Sequence, residues 1–493
     1  MNPRKILSSS IMLPIVMLAN NIQVSNVTLT GKNTTTDTYQ VQFDIAWDNS
    51  WRTSTAEANY DAAWVFIKFR LDPSLPWNHA TLSSAGHVQP SGSSITVPTD
   101  LKGAFMFRSA DGSGNVSFPG AQLQWNYGAS GVADNAVIEV RVMAIEMVLI
   151  PQGPYSIGDG ASGTRQFELA QTGAPYTVNS EAAITMGGAG ATSLNAHNNV
   201  GGALDDFSYS ATQTLPAAFP KGFQAFYAMK YELTEGQYVD FLNMLTATQQ
   251  AARFMNQTGV NGNTIDDTGV APDIHVTTAP ERACGHQSWF ALAAYADWAA
   301  LRPMSEMEYE KMCRGNRPAV ANEYAWGTTN LSTTVFTYSN VGAANEVITN
   351  PGTGNIANYL TTNNFVFRPW RAGVAPASFI GATRVQASAG YYGCMDLTGN
   401  LWEMCVGVSN TEGRAFTASV HGDGVLTSVG TADIATWPSN LSASIRSHGG
   451  NYTSSAGSAN SAGASTNGKD CVPPIPPWDP TSSSNAATSS EGQ

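Results

Sequence analysis

The stretch Leu301–Gly315, LRPMSEMEYEKMCRG, carries a complete set of helix signals and so establishes a helical component of the fold. Ser305 is a predicted N-cap, and Glu308, three residues later, completes a capping box. Gly315 suits the position just after a helix, so the helix is expected to end near Arg314. The stretch therefore predicts a capped helix from Ser305 to about Arg314.

Two further helices and a pair of strands are predicted upstream of this helix. The first helix follows the N-cap Thr234, with Gln237 as its capping-box partner, and the second begins at Ser288. The first places one apolar stripe at helical spacing, made of Tyr238, Phe241, Leu242 and Leu245. EMVLIPQGPYSIGDG, from Glu146, predicts a strand, a turn and a second strand. Residues 146–472 are therefore predicted to form an α+β domain, with coil and short strands at 160–215 and 320–385.

Residues 20–145 are predicted to form an all-β, sandwich-like domain. Strand-like runs rich in β-branched and aromatic residues are separated by Gly, Pro, Asn and Ser turns; they are VQFDIAW, AWVFIKFRL, GAFMFRS and AVIEVRVMAI. Four tryptophans fall in this part: Trp47, Trp51, Trp64 and Trp77. Core packing is the favoured interpretation of these rings, and a sugar-binding platform is the alternative.

The charge content excludes two classes of partner. Only 12% of the 493 residues are charged, and 24 basic against 37 acidic residues give a net charge of −13. Nucleic-acid binders need clustered Lys and Arg, and electrostatic membrane binders need basic segments. The composition thus argues against both functions.

Both ends of the sequence differ from the regions between them. Residues 1–19 combine a basic start, Arg4 and Lys5, with an apolar run shorter than the about 20 residues of a membrane span, which predicts a secretory signal peptide. A retained membrane anchor is the alternative. Residues 473–493 predict a Pro/Ser-rich tail that is extended or disordered. A secreted or cell-surface location is expected, with no membrane span after signal removal.

Five cysteines are present: Cys284, Cys313, Cys394, Cys405 and Cys471. In an exported protein they could form up to two disulfides, and the spacing does not give the pairing. The sequence has no CxxC pair and no Cys/His cluster with zinc spacing.

Five motifs in order resemble the formylglycine-generating enzyme or sulfatase-modifying-factor family. They are MVLIPQGPYSIGDG, YELTEGQYVDFL, LRPMSEMEYEKMCRG, YYGCMDLTGNLWEM and HGGNY, and they span about residues 146–455. The last three resemble the family's Arg-Leu-Pro-Thr-Glu helix, its Gly-Asn-Val-Trp-Glu segment and its Gly-Gly-Ser-Trp strand. The resemblance implies a variant of the C-type-lectin fold.

The resemblance does not extend to the family's catalytic groups. Its oxidases hold copper with two cysteines just after the Gly-Gly segment, whereas here one cysteine, Cys471, follows Tyr452. The seven histidines contain no i, i+4 pair that would indicate the family's iron site. Neither copper nor iron is therefore expected. Arg302, Glu306 and Glu308 are interpreted as helix-start groups rather than a paired-carboxylate site.

The resemblance also implies structural calcium. The ligands would be the Asp396 side chain, the backbone carbonyls of Gly399 and Leu401, and Glu403, all oxygen donors as calcium requires. A second site would use Asn340 and Val341, although its Asp partner is not evident downstream.

These observations favour an exported, non-catalytic binding or structural protein, with enzymatic activity left open. A metal-dependent oxidoreductase of the same family is the alternative, and a sugar-binding adhesin is a third. A glycan or protein ligand or a cell-surface partner is expected. Because the family's closing Gly-Phe-Arg strand is not found after Tyr452, an open sheet edge and self-association are also predicted.

Overall fold

The computed structural model describes residues 21–73, 75–161, 166–196, 211–332, 336–354, 368–379, 383–439, 444–450 and 452. The predicted signal peptide 1–19, Cys471 and the predicted tail 473–493 lie outside these residues. The described part of the chain combines strands with seven α-helices, so the predicted α+β class is confirmed. No helix in the described ranges is long and apolar enough to cross a membrane.

The first 130 described positions form strands and no helix. The strands are β1 (Gln23–Asn33), β2 (Thr38–Arg52), β3 (Asp61–Arg70), β4 (Asn78–His79), β5 (Ser93–Thr96), β6 (Ala104–Arg108), β7 (Gly112–Asn126) and β8 (Glu139–Ile150). One sheet has the order β1-β2-β7, and a second has β8-β3-β6-β5. Alternate residues of β2 and β3, such as Phe43 and Val65, bury their side chains in one shared core.

Strand β8 corrects the predicted boundary between two strands at residue 145. It runs without a break from Glu139 to Ile150. One edge of β8 pairs with β3, from Arg70↔Glu139 to Asp61↔Val148, and the other edge pairs with β15 (Phe226–Met229). The separation was wrong because no Gly, Pro or Asn interrupts residues 139–150. A single sheet therefore extends from the amino-terminal strands into the α+β region.

The remaining elements are short. Their strands are β9 (Tyr155–Ile157), β10 (Phe167–Leu169), β11 (Tyr176–Val178), β12 (Ile184–Met186), β13 (Leu194–Ala196), β14 (Gln213–Leu215), β16 (Tyr338–Ser339), β17 (Val347–Ile348), β18 (Glu403–Val406) and β19 (Ile445–His448). The helices are α1 (Glu235–Asn243), α2 (Ala247–Arg253), α3 (Trp289–Trp298), α4 (Glu306–Arg314), α5 (Val374–Ala377), α6 (Arg384–Ala387) and α7 (Thr411–Arg414).

The three predicted helices are confirmed by their caps. Thr234 and Ser305 form complete capping boxes, and Ser288 accepts a hydrogen bond from the backbone of Ala291. Gly315 ends α4 with a φ of 66°. Helix α2, with its own box at Thr246 and Gln249, was not predicted. Side-chain signals near each helix start thus predict where α1, α3 and α4 begin.

Candidate metal site in the turn Asp396–Glu403

The turn Asp396–Glu403 packs against helix α4 and leads into strand β18. Three of its residues have left-handed backbone conformations: Asp396 with φ 60°, Gly399 with φ 83° and Asn400 with φ 63°. The Gly399 amide donates to the carbonyl of Gly449 at 2.7 Å, which ties the turn to the end of β19. The segment is thus tightly wound beside the end of β19.

Two carboxylates hold the turn, those of the buried Asp396 and the half-buried Glu232. Asp396 Oδ2 accepts from the Gly373 amide at 2.6 Å. Glu232, from the loop before α1, accepts from the Leu401 amide at 2.9 Å and from the Asn400 side-chain amide. Glu232 was not among the predicted site residues, although its YELTEGQ segment belongs to the motifs that carry the resemblance.

Glu403 is the first residue of β18 and lies opposite His448 of β19. Both of its carboxylate oxygens are buried and have no hydrogen-bond partner among the described residues. Gly449, just after β19, has a φ of 81°, and a Cβ there would lie 2.0 Å from Glu403 Oε2 and 2.9 Å from the Leu397 carbonyl oxygen, so this position favours glycine. A buried carboxylate without a hydrogen-bond donor or a cation beside it carries a large desolvation cost.

Burial and mutual repulsion both act on the carboxylates around the turn. Burial raises the pKa of Asp396 to about 6 and raises the pKa values of Glu232 and Glu403 well above the ordinary range. Repulsion from Asp396 adds to the shift at Glu232, and repulsion from Glu232 adds to that at Glu403. A divalent ion would neutralise this negative charge.

The backbone carbonyls fit the predicted ligand set. The carbonyl of Leu397 accepts from the Tyr309 hydroxyl, and that of Asn400 accepts from the Tyr452 amide at 2.9 Å. The carbonyls of Gly399 and Leu401 accept no hydrogen bond from the described part of the chain. The structure thus places all four predicted ligands on one turn, with Glu232 beside them.

The second predicted calcium site has a weaker donor set. The Asn340 side chain donates to the carbonyl of Asn345 at 3.4 Å, and Val341 is 58% exposed. The nearby carboxylate of Glu346 pairs with Arg368 at 2.5 Å and accepts from the Gly342 amide. The neighbouring acid is therefore already neutralised by an arginine.

Another acidic group, Asp297 with Asp423 and Asp433, brings carboxylate oxygens within 4.8 Å of one another. Asp297 is fully buried and accepts from the amides of Asp423 at 3.0 Å and Asp433 at 3.1 Å. Burial raises its pKa to about 7. The Lys68 ammonium interacts electrostatically with Asp297 and Asp423, so this group stabilises the loop that carries Asp423.

The interpretation of Arg302, Glu306 and Glu308 as structural groups agrees with their contacts. Glu308 binds Arg302 through two hydrogen bonds, of 2.8 and 2.5 Å, and closes the capping box of α4. Glu306 Oε1 accepts from the Val408 amide at 2.6 Å.

The four cysteines within the described residues are free and buried. Burial raises the pKa of the Cys394 thiol to about 12 and raises the pKa values of Cys284, Cys313 and Cys405 in the same direction. These thiols are therefore protonated at neutral pH, whereas a nucleophile or copper ligand must be a thiolate.

The four predicted tryptophans pack against other parts of the chain and do not form an exposed sugar-binding platform. Trp47 and Trp64 are at most 2% exposed. Lys230 Nζ lies 4.9 Å from the Trp51 ring, and Arg70 lies 4.5 Å from that of Trp77. Core packing is thus confirmed for Trp47 and Trp64, and cations contact the two half-buried rings.

A family model matches most of the chain. The family model described as sulfatase-modifying factor enzyme 1-like domain matches residues 136–469. A search of curated proteins finds no relative. The matched range begins with the segment that leads into β8 and includes the whole turn Asp396–Glu403.

Proposed function

Because the chain belongs to the sulfatase-modifying factor enzyme 1-like family, we propose that it is an exported, non-catalytic binding or structural protein built on that scaffold. The observation that carries this proposal is the state of its thiols. All four cysteines of the described residues are buried, and burial raises the pKa of each. Thiol oxidation on copper requires exposed, paired thiolates.

The sequence supports the same conclusion. After Gly449 and Gly450 the chain reads NYTSSAGSANSAGASTNGKD before Cys471, its last cysteine. A single thiol at that distance cannot supply the pair of soft ligands that a copper-thiolate centre needs.

The test is the conversion of a cysteine-containing sulfatase peptide by the full chain with added copper. We expect no conversion and no oxygen consumption above the background. Turnover that disappears in the Cys471→Ser variant, but persists in a Cys284→Ser control, would overturn the proposal and favour the metal-dependent oxidoreductase.

We further propose one structural calcium ion in the turn Asp396–Glu403. The side chains of Asp396 and Glu403 and the carbonyls of Gly399 and Leu401 would hold it. Glu232 would orient the turn through its bonds to Asn400 and Leu401. The unpartnered oxygens of Glu403 support this proposal. Calcium takes 6–8 oxygen ligands, so waters would complete the shell.

The amino-terminal sheets support a sandwich-like module that precedes the family domain. Two sheets share one apolar core, and β8 continues from this module into the α+β region. A binding role for the whole protein, on a glycan or a protein ligand at a cell surface, is part of the proposal.

A further inference from the structure

A cavity of about 580 Å³ lies beside strand β15. This strand is the last of its sheet, and all four of its residues, Phe226–Met229, line the cavity. Leu292 and Tyr295 of α3 line it as well. Its volume falls within the roughly 300–1,000 Å³ of small-molecule sites.

The cavity is apolar and reachable from solvent. Aromatic and aliphatic side chains form most of the lining, among them Trp64, Phe105, Met229 and Trp402. Some lining residues, such as Ala217 and Gln224, are exposed, whereas Trp64 and Cys284 are buried. A ligand could therefore enter past the exposed residues and bury its apolar part.

The charged groups of the lining select against anions. Arg302 is the one Arg or Lys among the described lining residues, and both of its hydrogen bonds to a side chain go to Glu308. Glu232 and Glu403 also line the cavity, and the oxygens of Glu403 accept no hydrogen bond from the described ranges. A ligand carboxylate would find no free Lys or Arg among the described lining residues, and burial lowers the pKa of the lining residue His421, which disfavours its cationic form. A hydroxyl or ammonium donor would find acceptors.

We propose that this cavity binds an apolar molecule that carries a hydroxyl or ammonium group and no negative charge. The apolar walls supply the affinity, and the carboxylates determine which polar end is accepted. This inference goes beyond the proposed function, because an apolar alcohol needs the walls of the cavity whether or not calcium occupies the neighbouring turn.

The experiment titrates the full chain with the neutral fluorophore N-phenylnaphthylamine and displaces it with decanol, decylammonium or decanoate. Each titration is run with calcium and with a chelator. We expect saturable binding, displacement by decanol under both conditions, displacement by decylammonium that is stronger in the chelator, and no displacement by decanoate at neutral pH.

Two variants locate the binding. Ala296→Phe adds a ring to the α3 wall and is expected to weaken probe binding on the order of tenfold, because it fills the cavity. Ala110→Phe adds the same ring at an exposed loop and should leave binding unchanged. Circular dichroism and melting establish that Ala296→Phe is folded, and Leu292→Trp replaces it if it is not.

The outcomes decide the proposal. Loss of binding in the folded cavity variant, together with preference for decanol over decanoate, supports it. No saturable binding, equal displacement by decanoate, or full binding by the folded Ala296→Phe variant would overturn it. A chain that binds decanol but gains no stability from calcium would retain the cavity site and lose the calcium proposal.

Discussion

His275 is a buried imidazole with an unusual lack of partners. It is 3% exposed and lies 4.7 Å from the Phe254 ring, and neither of its ring nitrogens has a hydrogen-bond partner within the described residues. Burial lowers its pKa below the ordinary 6.5, and Asp267 opposes that shift. Since the unfolded chain binds this proton more readily, the histidine's contribution to stability is complete above about pH 6.5 and is lost as the pH falls below it.

We therefore expect His275→Phe to reduce the loss of stability on acidification while keeping the ring contact with Phe254. Urea unfolding of wild type and variant at neutral pH and near pH 5 measures the effect. Other histidines with lowered pKa values, such as His79, will leave a residual slope. Parallel pH profiles for the two proteins would show that His275 is not a source of the acid sensitivity.

The candidate site shows which of its residues the sequence predicts and which it does not. One motif contains all four predicted ligands within eight positions: Asp396, Gly399, Leu401 and Glu403. The resemblance of that motif to the family therefore implies all four residues at once. Glu232 belongs to a separate segment, and its contact with Asn400 and Leu401 exists only in the folded chain. Its half-buried place beside the turn, with no ion pair to a cation within the described residues, was not predictable from composition or spacing.

Among the elements, β8 and β15 are joined by a buried ion network. The Lys230 ammonium lies 3.1 Å from Asp61 on β3 and 3.0 Å from Glu146 on β8, and all three side chains are at most 2% exposed. Asp61 also accepts from the Trp47 indole and the Ser50 hydroxyl. The network thus ties β3 and β8 to Lys230, the residue that directly follows β15.

Lys230→Met should destabilise the protein by about 3–5 kcal/mol, because it leaves two buried carboxylates without their cation. Denaturant unfolding measures the change. The double variant Lys230→Met/Glu146→Leu removes one of those acids and is expected to recover part of the loss. Wild-type stability in Lys230→Met would contradict the assigned role of the network.

Local signals and long-range pairing differ in how far the sequence predicts them. The caps of α1, α3 and α4 follow from side chains within three residues of each helix start, and they were predicted. The continuity of β8 depends on pairing with β3, nearly seventy positions earlier at Arg70↔Glu139. A boundary placed by change of pattern alone therefore divided one strand into two.

For the whole molecule, self-association is the prediction that the sequence and the fold jointly motivate. Strand β15 lies at the end of its sheet, and such an edge can pair with a further strand. A charged fraction of 12% leaves little repulsion between copies. The Pro-rich segment after Lys469 is expected to take part in the contact by lying across a partner copy. We therefore expect light scattering to detect an oligomer of the full chain, and a monomer when the chain ends at Lys469. Two monomers of equal stability would contradict this prediction.

The central claim is that calcium stabilises the scaffold at the turn Asp396–Glu403. The most direct measurement is thermal unfolding of the full chain in excess calcium and in chelator, for wild type, Asp396→Ala, Glu403→Gln and the control Asp100→Asn. A ligand that binds only the native state at about 100-fold excess over Kd adds roughly 2.7 kcal/mol. We predict a lower melting temperature in chelator for wild type and Asp100→Asn, and no calcium response in the two turn variants. A wild-type melting temperature unchanged by the chelator would contradict the claim.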